Sequence, residues 1–465
     1  MKFNLLVIGL LFLAFLFFIG FAISNLPFDI IVILIIGFIF AVLTLMNLEV
    51  GLFLLIFVVP FTQQFTLIKS AIGPVDIGTD DVFIIFIILS WLARLATRKD
   101  VLVLKTSLNW PIVAFFTCGM FSYIGGLRVF GTGIVGKSAF LVGFLHLMKF
   151  FEYVVVYFIV VSAIRDLKQI KKILIMFFVV TGLLAILQFI FMFQFGYFSL
   201  SAPPPPSFIY IMAMRAFGTN AILGAYYAFF LSILLVYLLD VPVAKGKVPL
   251  VLFAILLSFA LFNTYSRSAY FGLMAGFVIL AKFKEKRLFL IILLLAVFSP
   301  IYLQSAVLER ITLTVSVYHP KIVLDASSAI RLDIWKKGLQ VFLNNFIFGT
   351  GYWTTRWVLR AEAHNQYLAI LIEMGIVGFS VFCWLLVRMF KNALTLIKKT
   401  ESGFLNSLGL GYIAGLTAVL ASCFFSETLE SFRMTGPIWF IAGLIASANR
   451  LLSEKKKEAD LEGIT

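Results

Sequence analysis

The run HNQYLAILIEMGIVGFSVFCWLLVRMF, residues 364–390, decides the fold. From Asn365 to Phe390 it carries one acid, Glu373, and one base, Arg388, in an otherwise uncharged stretch. About 20 mostly apolar residues are enough to cross a hydrocarbon core as a helix. Outward from this run the same reading finds further apolar runs at 3–24, 28–46, 50–66, 80–97, 109–126, 145–164, 173–193, 221–239, 249–262, 267–281, 288–304, 404–424 and 435–450. Pro60 and the polar Thr62, Gln63 and Gln64 weaken the run 50–66. The runs 249–262 and 267–281 are short and separated only by Asn263 to Ser266. The expectation is an all-α polytopic membrane protein with twelve to fourteen spans.

Composition agrees. Of 465 residues 62% are apolar and 13% charged, with a mean hydropathy of +1.08 and 54 phenylalanines. A soluble domain has about 45–50% apolar and about 25% charged residues, so a soluble enzyme is excluded, as are a disordered chain and a disulfide scaffold. Cys118, Cys383 and Cys423 lie far apart, with no CxxC spacing to hold a metal cluster. Lys2, the following apolar stretch and Ala22-Ile23-Ser24 resemble a secretory signal. The apolar core is longer than the 7–15 residues of a signal, so a retained helix is expected.

Direction follows from the placement of Lys and Arg. With the N-terminus inside and fourteen alternating helices, the inner segments hold 23 of the 37 basic residues and 10 of the 22 acidic ones. The total of +15 is then a topology signal and no nucleic-acid footprint, and both termini face the cytoplasm. The long non-membrane segment 305–363 lies outside. Within it Ser328 to Phe342 reads as an amphipathic helix at the interface, Ile330, Ile334, Trp335, Leu339 and Phe342 having helical spacing and Asp333 facing Lys337. The outer loop 194–220 contains the stiff stretch Pro203 to Pro206. Residues 1–140 are expected to form N-terminal helices, 141–445 a second transmembrane region that includes the outer segment 305–363, and 446–465 a charged cytoplasmic tail.

Basic residues on the outer side run against the insertion bias and need a partner or an anionic ligand. Arg215 precedes the helix 221–239, with Thr219 or Asn220 as N-cap; it reads as an anion site beside a helix N-terminus or as a snorkelling arginine. Arg267 sits among Thr264, Tyr265, Ser266 and Ser268, either lining a polar pocket or paired with Glu427 or Glu430. Arg356, Arg360 and His364 are spaced by four; on a helix they form one stripe suited to an anion, and otherwise they belong to a solvated loop. His364 opens the helix 365–390 and titrates near neutrality, which suits a base. His146 reads as an interfacial residue at a helix start and His319-Pro320 as a turn. There is no HExxH, clustered DxD or Walker loop. Chemistry on the outer face would therefore draw on an activated substrate delivered there.

Arg215 to Asn220, Tyr265-Ser266-Arg267-Ser268, Ile330-Arg331-Leu332-Asp333-Ile334-Trp335, Ala363-His364-Asn365-Gln366-Tyr367-Leu368 and Glu373 to Gly378 together resemble the O-antigen ligase and polymerase family, over residues 140–445. The family often has Pro-Asn after the Gly-Thr, whereas Thr219-Asn220-Ala221 here lacks the proline. The resemblance implies a metal-independent glycosyltransferase without cofactor in the cytoplasmic membrane, its site on the periplasmic or external side. It implies an undecaprenyl-diphosphate-linked glycan as donor and a lipid or glycan acceptor, with inversion. By that resemblance His364 activates the acceptor, and Arg215 and Arg267 engage the diphosphate. Arg331, Arg356, Arg360 and Asn365 complete the substrate-binding set. Ligase and polymerase are not separated. The competing class is a flippase of lipid-linked sugars, against which stands the gathering of ionisable residues at outer helix ends, with Lys149 and Glu152 the main exceptions.

Overall fold

The computed structural model describes residues 28–60, 66–68, 77–97, 105–130, 134–194, 220–241, 246–284, 315–318, 321–324 and 326–462. Apart from two short antiparallel strand pairs, β1 (Thr66–Ile68) with β2 (Ile77–Gly78) and β3 (Val315–Tyr318) with β4 (Lys321–Leu324), the regular structure is helical. The helices are α1 (Phe28–Met46), α2 (Leu48–Val58), α3 (Thr79–Thr97), α4 (Asn109–Gly125), the single turn α5 (Leu127–Phe130), α6 (Ile134–Ala163) and α7 (Leu167–Gln194). There follow α8 (Asn220–Asp240), α9 (Lys247–Phe262), α10 (Arg267–Phe283), α11 (Ala326–Asn344), the short α12 (Thr355–Leu359), α13 (Gln366–Lys399), α14 (Phe404–Ser422) and α15 (Phe432–Glu462).

The centre is α8, apolar all round and buried continuously from Leu223 to Leu234, as such a helix must be. It packs on α10 and α14. Lipid offers no hydrophobic gain for helix association, so close backbone approach through small residues carries it. Gly411 and Gly415 of α14 face Ile233 and Phe229 of α8, and Gly272 and Gly276 of α10 face the Ala418 and Ala414 carbonyls. A Cβ at Gly272 would sit on the Ala418 oxygen. Around this core α6 packs on α15 and α4 on α13. The α1–α3 layer joins through α3, whose Trp91 Nε1 donates to Ser162 Oγ of α6 at 2.8 Å.

Six described helices are long and apolar enough to cross a membrane: Asn109–Val129, Phe140–Ala163, Leu167–Ile190, Asn220–Asp240, Gln366–Lys399 and Phe404–Ser422. Twelve to fourteen spans are expected from the sequence. Ile35–Met46, Leu48–Val58, Phe83–Ala96 and Lys247–Phe262 are apolar but of 10–17 residues. The runs 3–24 and 288–304, Arg215 and the proline stretch lie outside the described residues. The expected helix 328–342 is present as α11, with Asp333 and Lys337 paired at 2.6 Å.

The bundle has two chemically distinct ends. At one, Lys399 Nζ donates to the Asn449 carbonyl at 2.9 Å, Arg450 caps the Ile164 carbonyl at 2.5 Å, and Lys284 pairs with Asp240. These basic residues are among those the charge count puts inside. The other end gathers the start of α13, the end of α14 and the start of α10. There Gln366 N donates to the Cys423 carbonyl at 2.9 Å, and Phe271 meets Phe425 edge to face at 5.4 Å.

Candidate functional site

The site is built on a break in α13. Gly375 adopts φ 62° and ψ −166°, so the carbonyls before it lose their helical partners. The turn after α11 supplies replacements. Thr350 N donates to the Ile372 carbonyl at 2.8 Å, Gly351 N to that of Glu373 at 3.0 Å, and Ile376 N to that of Phe346 at 2.9 Å. Ser122 Oγ of α4 also donates to the Glu373 carbonyl, at 2.7 Å. The Glu373-Met374-Gly375 stretch is thus the socket into which residues 345–351 plug. It sets where the following segment, 352–365, can run.

That segment carries three of the four non-glycine residues with left-handed φ among the described residues: Trp353 (63°), Arg360 (54°) and His364 (50°). Such conformations persist only where the surroundings over-determine them, and they gather at functional sites. At His364 the determinants are plain. Its N–H donates to Glu427 Oε1 at 2.8 Å, and the preceding carbonyl, of buried Ala363, accepts Trp335 Nε1 of α11 at 2.8 Å. Asn365 follows as N-cap of α13, its Oδ1 accepting from Tyr367 N at 3.1 Å and Leu368 N at 3.0 Å. Gln366 Oε1 accepts from Leu429 N at 3.2 Å, which ties the 3₁₀ turn Thr428–Glu430 to the head of α13.

Around this knot the charges are mixed. Arg356 lies 3.2 Å from Glu362 and 3.5 Å from Glu430, and its guanidinium covers the face of Trp353 at 5.6 Å. His146 of α6 stacks on the same indole at 4.5 Å. Glu362 Oε2 is 3.7 Å from His364 Nδ1. Burial pushes the Glu430 carboxyl well above its usual range, Glu427 and Glu373 add to the rise, and Arg356 opposes it. Glu430 therefore favours its neutral form more than a solvated carboxyl does.

Below these groups opens a cleft, partly open to solvent, of about 100 Å³. His146, Trp353, Gln366, Glu373 and Glu430 are the polar part of its lining, with Trp353 stacked on His146. Its walls are apolar, from Phe115 and Phe150 through Ile370 and Leu385 to Met389 and Trp439. A mostly apolar lining with a few polar groups suits a ligand that carries both apolar and polar parts.

The structure brings together His364, Arg356, Asn365 and Arg331, whose guanidinium donates to the Phe425 carbonyl at 3.4 Å. Arg267 is the first residue of α10, behind the N-cap Ser266 and one turn before Phe271, at the same end of the bundle. Arg215 lies outside the described residues. The stripe expected from Arg356, Arg360 and His364 does not form. The helix there is five residues long, and the left-handed Arg360 ends it, leaving that side chain exposed. Arg356 is engaged by two carboxylates, not aligned with the other two. Two of the hydroxyls near Arg267 are spent on local hydrogen bonds. Thr264 Oγ1 donates to the Leu261 carbonyl at 2.7 Å, and Ser266 Oγ accepts from Ala269 N at 3.3 Å as a helix cap.

Sequence reasoning misplaced His146, which lies well inside α6, not at a helix start, and faces the cleft. It passed over Glu373 as a site residue and Arg433, which among the described residues is the only buried charged side chain, 4% exposed. Arg433 carries the signal that drew attention to Arg267, a base at an apolar helix end opposite the basic end of the bundle.

Residues 252–383 match the family model of the O-antigen ligases. The match takes in α10 to α12, the His364 knot and the Gly375 break, so the resemblance drawn from the sequence motifs is borne out. No curated protein matches the chain.

Proposed function

We propose that this chain is a membrane glycosyltransferase of the O-antigen ligase or polymerase type. It moves a glycan from an undecaprenyl-diphosphate donor to an acceptor hydroxyl at the external face of the cytoplasmic membrane. The observation that carries this is the convergence, inside and beside the matched residues 252–383, of His364, Arg356, Glu362, Glu427 and Glu430, the last of which also lines a mostly apolar cleft.

The chemistry asks for three things. A hydroxyl must lose its proton as it attacks, and the half-exposed His364 is the group to accept it. The breaking glycosyl–phosphate bond leaves charge on the diphosphate, which fixed guanidiniums stabilise in a site poor in water. Arg267 at the N-terminus of α10 adds its charge to the positive end of the helix dipole, a natural anion position. Arg331 and Arg215 join it in this reading. Arg356 does not, because a diphosphate there would meet Glu362 and Glu430; its part is to hold those carboxylates. The lipid portion of a substrate suits the apolar walls of the cleft. Attack opposite the leaving group inverts the anomeric centre.

The test is the full chain in nanodiscs with an undecaprenyl-diphosphate-linked glycan, with and without a candidate acceptor such as lipid A-core. Release of undecaprenyl diphosphate with a new glycosidic product supports transfer. A product with acceptor marks a ligase, and lengthened lipid-linked glycan without it marks a polymerase. Movement of intact glycolipid across sealed vesicles, with neither product, establishes the flippase instead.

A further inference from the structure

We propose that Glu362 is the positioning residue of His364, fixing the ring's tautomer and taking up the charge of the imidazolium that forms as the acceptor loses its proton. This rests on the reading of His364 as the acceptor's base. The backbone of His364 is already immobilised on both sides, by Glu427 Oε1 on its own N–H and by Trp335 Nε1 on the preceding carbonyl. The ring hangs from that fixed point at φ 50°, and Glu362 Oε2 stands 3.7 Å from its Nδ1. That is longer than a hydrogen bond, as base contacts often are before substrate arrives. A carboxylate on this side holds the proton at Nδ1 and leaves Nε2 as the acceptor.

The charged groups facing the ring are few and come from every neighbouring element. Arg356 of α12 holds Glu362 Oε1 at 3.2 Å and so keeps this carboxylate aimed. Glu427 and Glu430 come from the turn before α15, the first spent on the His364 amide and the second on Arg356. Arg331 of α11 reaches the Phe425 carbonyl, and Arg360 is exposed on the same segment as the ring. In the step itself the acceptor oxygen bonds the anomeric carbon and its proton passes to Nε2. The bond from that carbon to the diphosphate breaks, its electron pair leaving on the phosphate oxygen. The imidazolium left behind is neutralised by Glu362 until solvent takes the proton.

The chain has three histidines, His146, His319 and His364, so ring nitrogen signals in ¹⁵N-histidine-labelled protein in nanodiscs are assignable by difference with His364→Gln. In the unmodified protein the neutral His364 ring should carry its proton on Nδ1. In Glu362→Ala it should revert to Nε2. Release of undecaprenyl diphosphate from the lipid-linked glycan should fall roughly 10–100-fold with donor KM unchanged, and Glu362→Asp should recover part of the loss. An Nε2–H ring in the unmodified protein overturns the proposal, as does an unchanged tautomer and turnover in Glu362→Ala. Full turnover in His364→Ala would instead defeat the base reading, which the tautomer measurement does not share.

Discussion

The imidazole of His146 lies flat on the indole of Trp353, ring centroids 4.5 Å apart and planes 19° from parallel. Arg356 covers the indole too, at 5.6 Å. A side chain from the middle of α6 is thereby coupled to the arginine that organises the carboxylates around His364. Trp353 is 6% exposed and held at φ 63°, so the stack is part of what keeps a strained backbone in place.

The stack predicts a measurable coupling. His146→Ala and Trp353→Ala should each lower stability, and the double variant should lose less than their sum by about 0.5–1.5 kcal/mol. His146→Phe, which can still stack, should keep most of the stability. Denaturant unfolding of the four proteins in micelles closes the cycle, and strict additivity would show that the rings act independently.

Gly375→Ala should be far more damaging than an ordinary glycine replacement in an exposed helix. The residue needs φ 62°, and a Cβ there would meet the Ile347 carbonyl and the Gly349 amide. Strain of about 1–3 kcal/mol from the backbone alone adds to the loss of the Thr350, Gly351 and Ile376 hydrogen bonds. Folded yield by size exclusion should drop sharply. Normal yield with normal turnover would mean that the break is not needed to shape the site.

Glu430 gives a pH dependence with a definite sign. Its folded carboxyl titrates well above the ordinary value near 4.5, so the folded state binds the proton more tightly than the unfolded one. Stability from this group is complete below the unfolded value and is lost as pH rises through the folded one. Glu430→Gln, neutral at every pH, should match the parent in Tm near pH 5 and exceed it near pH 8. Parallel Tm profiles would mean that Glu430 is ionised in the folded protein.

Topology is testable from outside the cell. Ala326 opens α11 on the side of the His364 knot, whereas Lys398 sits beside Lys399 at the basic end. In a cysteine-free background a thiol placed at Ala326 should react with an impermeant reagent on intact cells, and one at Lys398 only after permeabilisation. The reverse pattern would put the site in the cytoplasm.

Helix positions were legible because apolar length and the 3.6-residue period survive any packing. The runs 28–46, 109–126, 221–239 and 404–424 each lie within two residues of their helices. The region 352–365 was not legible, for a physical reason. Spacing by four aligns Arg356, Arg360 and His364 only if the helix continues, and nothing local foretells left-handed backbone at Arg360 and His364. Those conformations are imposed by partners distant in the chain, Glu427 at His364 above all. His146 was hidden in the same way. A histidine in an apolar run reads as interfacial until the indole it stacks on is known.

The last prediction separates binding from chemistry at His364. The residue stands at the head of α13 with its amide on Glu427 and its ring beside Glu362. If it is the base, His364→Ala should cut turnover by roughly 10²–10⁴-fold while binding of undecaprenyl diphosphate persists. Gln should not restore turnover, since an amide cannot take the proton. Arg267→Ala should show the opposite pattern, weakening binding of undecaprenyl diphosphate by about 1.5–3 kcal/mol, and Arg267→Lys should recover little because a point charge lacks the guanidinium's fork. The measurements are titration with undecaprenyl diphosphate and single-turnover transfer in the same nanodiscs. A joint fall of binding and turnover in His364→Ala would make the residue a support of the site's shape. The proton would then have to go to one of the carboxylates that surround it, Glu362, Glu427 or Glu430.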